Sequence, residues 1–251
     1  MTDHRMICVL TTQRSGSSWF MESLNGLDGV RAYGEIFLGK RGSEEKADPL
    51  TIGATTYADW VDRFPDQFRL KRVWSYLDFL RRDAGSDVAF KLMYNQIKLY
   101  PEIFAAVPLQ RMPVIHLVRG NHFDTMLSGY RLRKLGVKHS TLPIKEEKVT
   151  IPVHEAMKIL RKQVRELKLA KVWLKIITNP VLRIYYEDLI ENPSSSIHRI
   201  CEFIGTSAPD NSSSDTAFKK INTKSYRETI GNYDELKFAL AKTPFQKYLS
   251  E

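Results

Sequence analysis

Cysteine is scarce. The 251 residues contain two, Cys8 and Cys201. Neither has a partner at metal-ligand spacing and there is no Cys-x-x-Cys, which argues against a disulfide framework, a zinc site or a dithiol redox centre. Two buried, reduced thiols are the simpler assignment. Long apolar runs are missing too. The run Met6–Leu10 is too short for the core of a secretory signal, and no stretch approaches the roughly 18 apolar residues of a membrane span. The chain therefore reads as cytoplasmic. Acidic residues are outnumbered, 29 Asp and Glu against 38 Lys and Arg, leaving a net charge of +9. That imbalance favours an anionic partner, whether nucleic acid, a membrane surface or a phosphorylated cofactor, without choosing among them. Two phosphate-binding signatures are also absent: Gly-x-x-x-x-Gly-Lys-Ser/Thr and Gly-x-Gly-x-x-Gly.

What remains is an ordinary globular composition, 43% hydrophobic and 27% charged, on a length that suits one domain over residues 1–251. Short apolar runs predict strands at 6–12, 87–94, 113–119 and 181–189, the last running into a turn; residues 30–37 read as a further extended piece. Helical spacing predicts helices ending near Gly26 and Gly85, a helix over 96–107, one after Asn121 as its cap, a long amphipathic one over 152–177, one closed by Gly205, and a last one over 232–241. Residues 39–53 are polar and charged, a surface loop or mobile lid, and 206–215 are loop. Strands alternate with helices at least four times, which predicts an α/β fold, a parallel sheet with helices on both faces, followed by a C-terminal segment 206–251.

The loop after the first strand, "TTQRSGSSWF" from Thr11 to Phe20, draws attention first. In such folds an anion sits where a strand hands over to the N-terminus of a helix. Gly16 permits a tight turn, the amides of Gly16, Ser17 and Ser18 would face its concavity, and Arg14 adds a positive fork. The bland alternative is a serine-capped helix that holds nothing.

"QRSGSSWF" resembles the 5′-phosphosulfate loop of sulfotransferases that use 3′-phosphoadenosine 5′-phosphosulfate (PAPS). Four further segments match that family in order. "VIHLVRGNHFDTMLSGYRLR" places Arg119 at a strand end and Ser128 on the next helix, resembling the family's 3′-phosphate site. Its spacing is closer to bacterial and carbohydrate-type members than to cytosolic steroid and phenol enzymes. "FKLMYNQ" places Lys91 in a strand, where the family's lysine contacts the transferring group. Met93 stands where the cytosolic enzymes have their catalytic histidine, so the base must lie elsewhere. "AYGEIF" supplies Glu35, matching the general-base glutamate of a bacterial subgroup. Partial desolvation by Tyr33, Ile36 and Phe37 suits such a role. Glu22, Glu44 and Glu45 are weaker choices. "VLRIYYEDLIENPSSSIHRICEFIG" reads as structural, with Glu187 and Asp188 orienting and Phe203 and Ile204 packing. "KINTKSYRETIGNYDEL" brings Lys224, Ser225 and Arg227 as a closing segment over the nucleotide.

The resemblance implies a kinase-like sulfotransferase fold and an enzyme that moves a sulfuryl group from PAPS to a hydroxyl or amine of a small polar acceptor. A sugar or glycolipid is the first choice and a natural product such as an alkaloid the second; an ATP-dependent kinase is the remote one. Arg14, Lys91 and Glu35 are the expected catalytic set; Arg14, Ser15, Gly16, Ser17, Ser18, Trp19, Arg119, Ser128, Lys224 and Ser225 would hold the nucleotide, with no metal and no nucleic-acid partner. Trp19, Phe20, Phe37, Trp60 and Trp74 are available to line an acceptor pocket, although aromatics at such positions are more often core. The basic stretch "LKRVWSYLDFLRR" mimics a nucleic-acid stripe but reads more simply as an amphipathic helix.

Overall fold

The computed structural model describes residues 4–38, 50, 54–135, 148–208 and 225–249. Five strands are found among them: β1 Met6–Thr11, β2 Val30–Tyr33, β3 Asp87–Met93, β4 Val114–Val118 and β5 Val181–Tyr185. They form one sheet in the order β2-β3-β1-β4-β5, and every pair is parallel. β1 is central and wholly buried, which explains its unbroken apolar run. Later strands are added on both sides of β1, so the loop after it opens at a switch point of the sheet.

Alternation along the strands separates two faces. Ile7, Val9, Ala89, Ile115, Leu117 and Ile184 pack with Phe20, Met21 and Leu24 of α1 (Ser17–Asn25) and with Ile200, Cys201 and Ile204 of α9 (Pro193–Ile204). Phe90, on the opposite face, meets Phe37, and Phe37 in turn meets Tyr57 of α2 (Tyr57–Arg63) and Tyr76 of α3 (Arg69–Ala84), with ring centroids 5.3–5.8 Å apart. Both cysteines are buried and free, and burial pushes both thiols up, towards the protonated form.

The expected elements are present, with some differences. The single helix over 96–107 is two: α4 Gln96–Leu99 and α5 Ile103–Leu109. Tyr100 precedes Pro101 and leaves the helical region, at φ −131° and ψ 73°. The turn after β5 is a helix, α8 Tyr186–Glu191. A further helix, α2, starts at a capping box: Thr56 Oγ1 accepts from the Asp59 amide, and the Asp59 carboxylate accepts from the Thr56 amide. The remaining helices are α6 His122–Leu135, α7 Val153–Ile176, α10 Tyr226–Thr229 and α11 Tyr233–Leu240.

The chain divides into two compact units, Met1–Val118 with Trp173–Phe218, and Arg119–Val172 with Lys219–Glu251. The first holds the sheet. The second has its own core of Phe123, Met126, Tyr130, Leu160, Tyr233 and Leu236. Among the described residues, no helix is long and apolar enough to cross a membrane.

Candidate functional site

The loop after β1 is built around backbone that few residues accept. Gly16 is the N-cap of α1 and sits in the left-handed region at φ 79° and ψ 11°; Arg14 is also left-handed, at φ 62°. A side chain at residue 16 would collide with the ring of Tyr186, which packs against the glycine from α8. The serine-capped alternative does not hold here. The cap is a glycine and no side chain caps α1.

The serines differ in use. Ser15 is fully buried; its hydroxyl donates to the Thr12 carbonyl at 2.8 Å and lies 2.7 Å from Thr11 Oγ1. Thr11 Oγ1 also donates to the Leu117 carbonyl at 3.0 Å, tying the start of the loop to β4. The Ser15 side chain is thus spent on holding the loop in shape. Ser17 is buried, and Ser18 is half-buried with its hydroxyl accepting from Lys91 Nζ at 3.4 Å. Trp19 is half-buried against the core beneath α1.

Lys91 is completely buried, on the strand beside β1 and on the face that α1 covers. Burying an ammonium without partners costs several kcal/mol. Here Nζ lies 3.5 Å from Glu35 Oε1 as well as 3.4 Å from Ser18 Oγ. The strand lysine, the glutamate after β2 and a serine of the loop are thereby brought together. Glu35 keeps a fifth of its side chain exposed, at 20%. The apolar shelter expected from its neighbours is only partial: Ile36 and Phe37 are fully buried, and Phe37 packs on the opposite face of the sheet. What Glu35 meets is the ammonium of Lys91. Glu22 is exposed on α1, and Glu44 and Glu45 lie outside the described residues.

In the second unit, Arg119 follows β4 directly and its guanidinium pairs with Asp124 at 2.9 Å. The other Asp124 oxygen accepts from the Tyr226 hydroxyl at 2.7 Å, and Asn121 Nδ2 donates to that hydroxyl at 2.9 Å. Asn121 also caps α6, accepting from the Asp124 amide at 3.1 Å. Burial and then the contact with Asp124 push the Tyr226 phenol well above its usual range, so it stays a donor. Ser128, half-buried, is four residues, about one turn, beyond Asp124 on α6. Ser225 starts α10, its amide donating to Glu228 at 2.7 Å, and Arg227 is in an exposed pair with Asp234. Lys224 lies outside the described residues, as does all of 39–53 except Leu50.

Sequence reasoning missed Asp124, Tyr226 and Tyr186. The aromatic pair at the end of β5 was a usable signal for Tyr186; nothing local marks Tyr226. Of the aromatics considered for an acceptor pocket, Phe20 and Phe37 are core, Trp60 is buried beneath α3, and Trp74 is 44% exposed on the surface. Among the described residues, no group of three or more His, Cys, Asp or Glu is placed to hold a metal.

A parallel sheet whose first strand leads through a left-handed glycine into a helix with no side-chain cap defines an open-sheet α/β protein. The family profile described as "Sulfotransferase family" matches residues 7–210, and the chain belongs to that family. Its enzymatic class is therefore that of sulfuryl transfer. No curated protein sequence gives a significant match. Solved structures with the same fold include mouse sulfotransferase SULT7A1 complexed with PAP, the 3′-phosphoadenosine 5′-phosphate product. It shares 15% identity with this chain at a TM-score of 0.50, over 98% of this chain and 90% of that one. Sulfotransferase STF9 from Mycobacterium avium has 13% identity and a TM-score of 0.53, covering 96% and 76%. A sulfotransferase from Alicyclobacillus acidocaldarius has 15% identity and a TM-score of 0.51, covering 99% and 95%.

Proposed function

We propose that this enzyme takes the sulfuryl group from PAPS and transfers it to a hydroxyl of a small polar acceptor, a sugar or the sugar of a glycolipid, with both compact units serving one sulfotransferase domain. The observation that carries this reading is the position of Lys91: wholly buried, yet 3.4 Å from the loop serine Ser18 and 3.5 Å from Glu35.

Sulfuryl transfer needs in-line attack and relief of charge on the departing oxygen. The acceptor oxygen forms a bond to sulfur while the bond from sulfur to the 5′-phosphate oxygen breaks, and that oxygen keeps the electron pair. The amides of Gly16, Ser17 and Ser18, with Arg14, hold the 5′-phosphate. Lys91 faces the oxygen on which charge grows. Glu35 accepts the acceptor's proton, which makes the enzyme one of the glutamate-base sulfotransferases. Arg119 and Ser128 read the 3′-phosphate, a group that ATP lacks.

The test combines binding and turnover. PAP should bind by calorimetry without Mg²⁺ and much more tightly than ATP with Mg²⁺. In transfer of labelled sulfate from PAPS to a panel of sugars and glycolipids, Glu35→Ala should lose about 10²–10⁴-fold in kcat while keeping its PAP affinity. Preference for ATP with Mg²⁺ would overturn the donor assignment, and full turnover in Glu35→Ala would remove that residue from the reaction.

A further inference from the structure

Helix α7 carries a feature that the reaction does not use. From Lys158 to Ile176, every exposed residue on it is lysine, arginine or aliphatic. The centre of the exposed face runs Lys158, Lys162, Arg165, Leu169, Val172, Ile176, at the 3–4 residue spacing that keeps one face of a helix outward. This line is roughly 27 Å long at 1.5 Å per residue. Its first half is cationic and its second half aliphatic, with Leu169, Val172 and Ile176 exposed to 61%, 56% and 73%. Lys168 and Lys175 flank the aliphatic half. The acidic residue within this stretch, Glu166, is tucked in at 12% exposure, 3.9 Å from Lys162. Single exposed aliphatics are ordinary; three in a row on one helix face, bordered along that helix by cations and by no exposed carboxylate, are not.

We propose that α7 docks this face on an anionic phospholipid surface, its aliphatic half entering the headgroup boundary and its cations lying on the lipid phosphates. Charge complementarity selects this occupant. Two copies pairing antiparallel through the whole face would set the cationic half of one against the aliphatic half of the other, leaving the cations without counter-charge. A nucleic acid would satisfy the cations but leave the aliphatic half in water. The aromatic residue of the stretch, Trp173, is half-buried and packs edge-on against Phe104 with centroids 5.0 Å apart, so its face is not presented for base stacking. An anionic bilayer satisfies both halves, and lysine stems beside the aliphatics reach out to the headgroups. The inference is independent of which acceptor is sulfated.

Cosedimentation of the full chain with vesicles tests it, comparing phosphatidylcholine alone with a three-to-one mixture of phosphatidylcholine and phosphatidylserine. Binding is expected to the mixture only and should fall as salt rises. Leu169→Ser with Ile176→Ser should weaken it by roughly tenfold, and Lys162→Gln or Arg165→Gln by about fivefold each. These positions are exposed, and an unchanged melting temperature verifies that the variants are folded. Absence of binding to both vesicles, or equal binding by the serine double variant, overturns the proposal. So does a concentration-dependent dimer that the serine changes abolish, which would assign the face to a second copy. RNA binding tighter than vesicle binding and unaffected by the serine changes would assign it to nucleic acid.

Discussion

Two charged clusters of this protein are assembled in different ways. In the sheet unit, Lys91, Glu35 and Ser18 come from three separate segments, and the cation is completely buried. In the other unit, Arg119 is paired within five residues, by Asp124 on the first turn of the helix that follows it, and keeps 14% of its side chain exposed. The first cluster exists only because strands and a loop converge, so its cation has no water to fall back on. The second is local, and its cation is already engaged; a ligand there must compete with Asp124. A buried cation at a convergence point suits charge that appears during a reaction, whereas an accessible arginine with an exchangeable partner suits reading a group present throughout.

The largest effect should come from the convergent cluster. Lys91→Met fills similar space without charge, and is expected to lower kcat by about 10²–10³-fold while PAPS still binds. If kcat holds and only the melting temperature moves, Lys91 is a structural cation and the contrast with Arg119 fails. Next is Arg119→Ala, which should weaken PAP by about 1.5–3 kcal/mol and a nucleotide lacking the 3′-phosphate far less. Titrating both ligands decides it, since equal losses would show that Arg119 does not distinguish them. Asp124→Asn sharpens the same point. If Asp124 is a competitor for the guanidinium, this variant tightens PAP by roughly two- to fivefold; weaker binding would make Asp124 a support for Arg119 instead.

The smallest effect concerns Tyr226. Tyr226→Phe removes one donor to Asp124 and should cost about 0.5–1.5 kcal/mol in urea unfolding at neutral pH. The folded state raises the phenol's affinity for its proton, by burial first and then by Asp124. The stability this gives is therefore fully present below the ordinary tyrosine value of about 10 and is lost as pH rises above it. The phenylalanine variant should show a shallower alkaline loss than the parent, and parallel curves would exclude Tyr226 as a contributor.

Much of this was legible in the linear chain because it follows from periodicity. The unbroken apolar run of β1, the glycines that close α3 and α9, and the Asn121 cap are local facts, and the fold confirms each of them. Lys91 stood out because a lysine amid apolar strand residues needs a polar destination. The split between α4 and α5 was also readable, from Pro101, and the Thr56–Asp59 capping box marked α2. Contacts between distant segments were not. Tyr186 against Gly16 and Tyr226 on Asp124 join parts of the chain with no shared pattern, the latter 102 residues apart. Ser15 looked like its neighbours in the loop, and only its burial shows its hydroxyl bonded within the loop.

By itself the sequence determined the sheet, its flanking helices and the glycine turn after β1, because strand and helix periods, caps and a left-handed glycine act over a few residues. Tertiary structure alone decided that Glu35 meets an ammonium rather than an apolar pocket, and that Arg119 is already in Asp124's grip. It also left the cations and aliphatics of α7 on one outward face. Those outcomes depend on which surfaces pack together and which remain in water, and packing is settled only when distant segments of the chain compete for the same space.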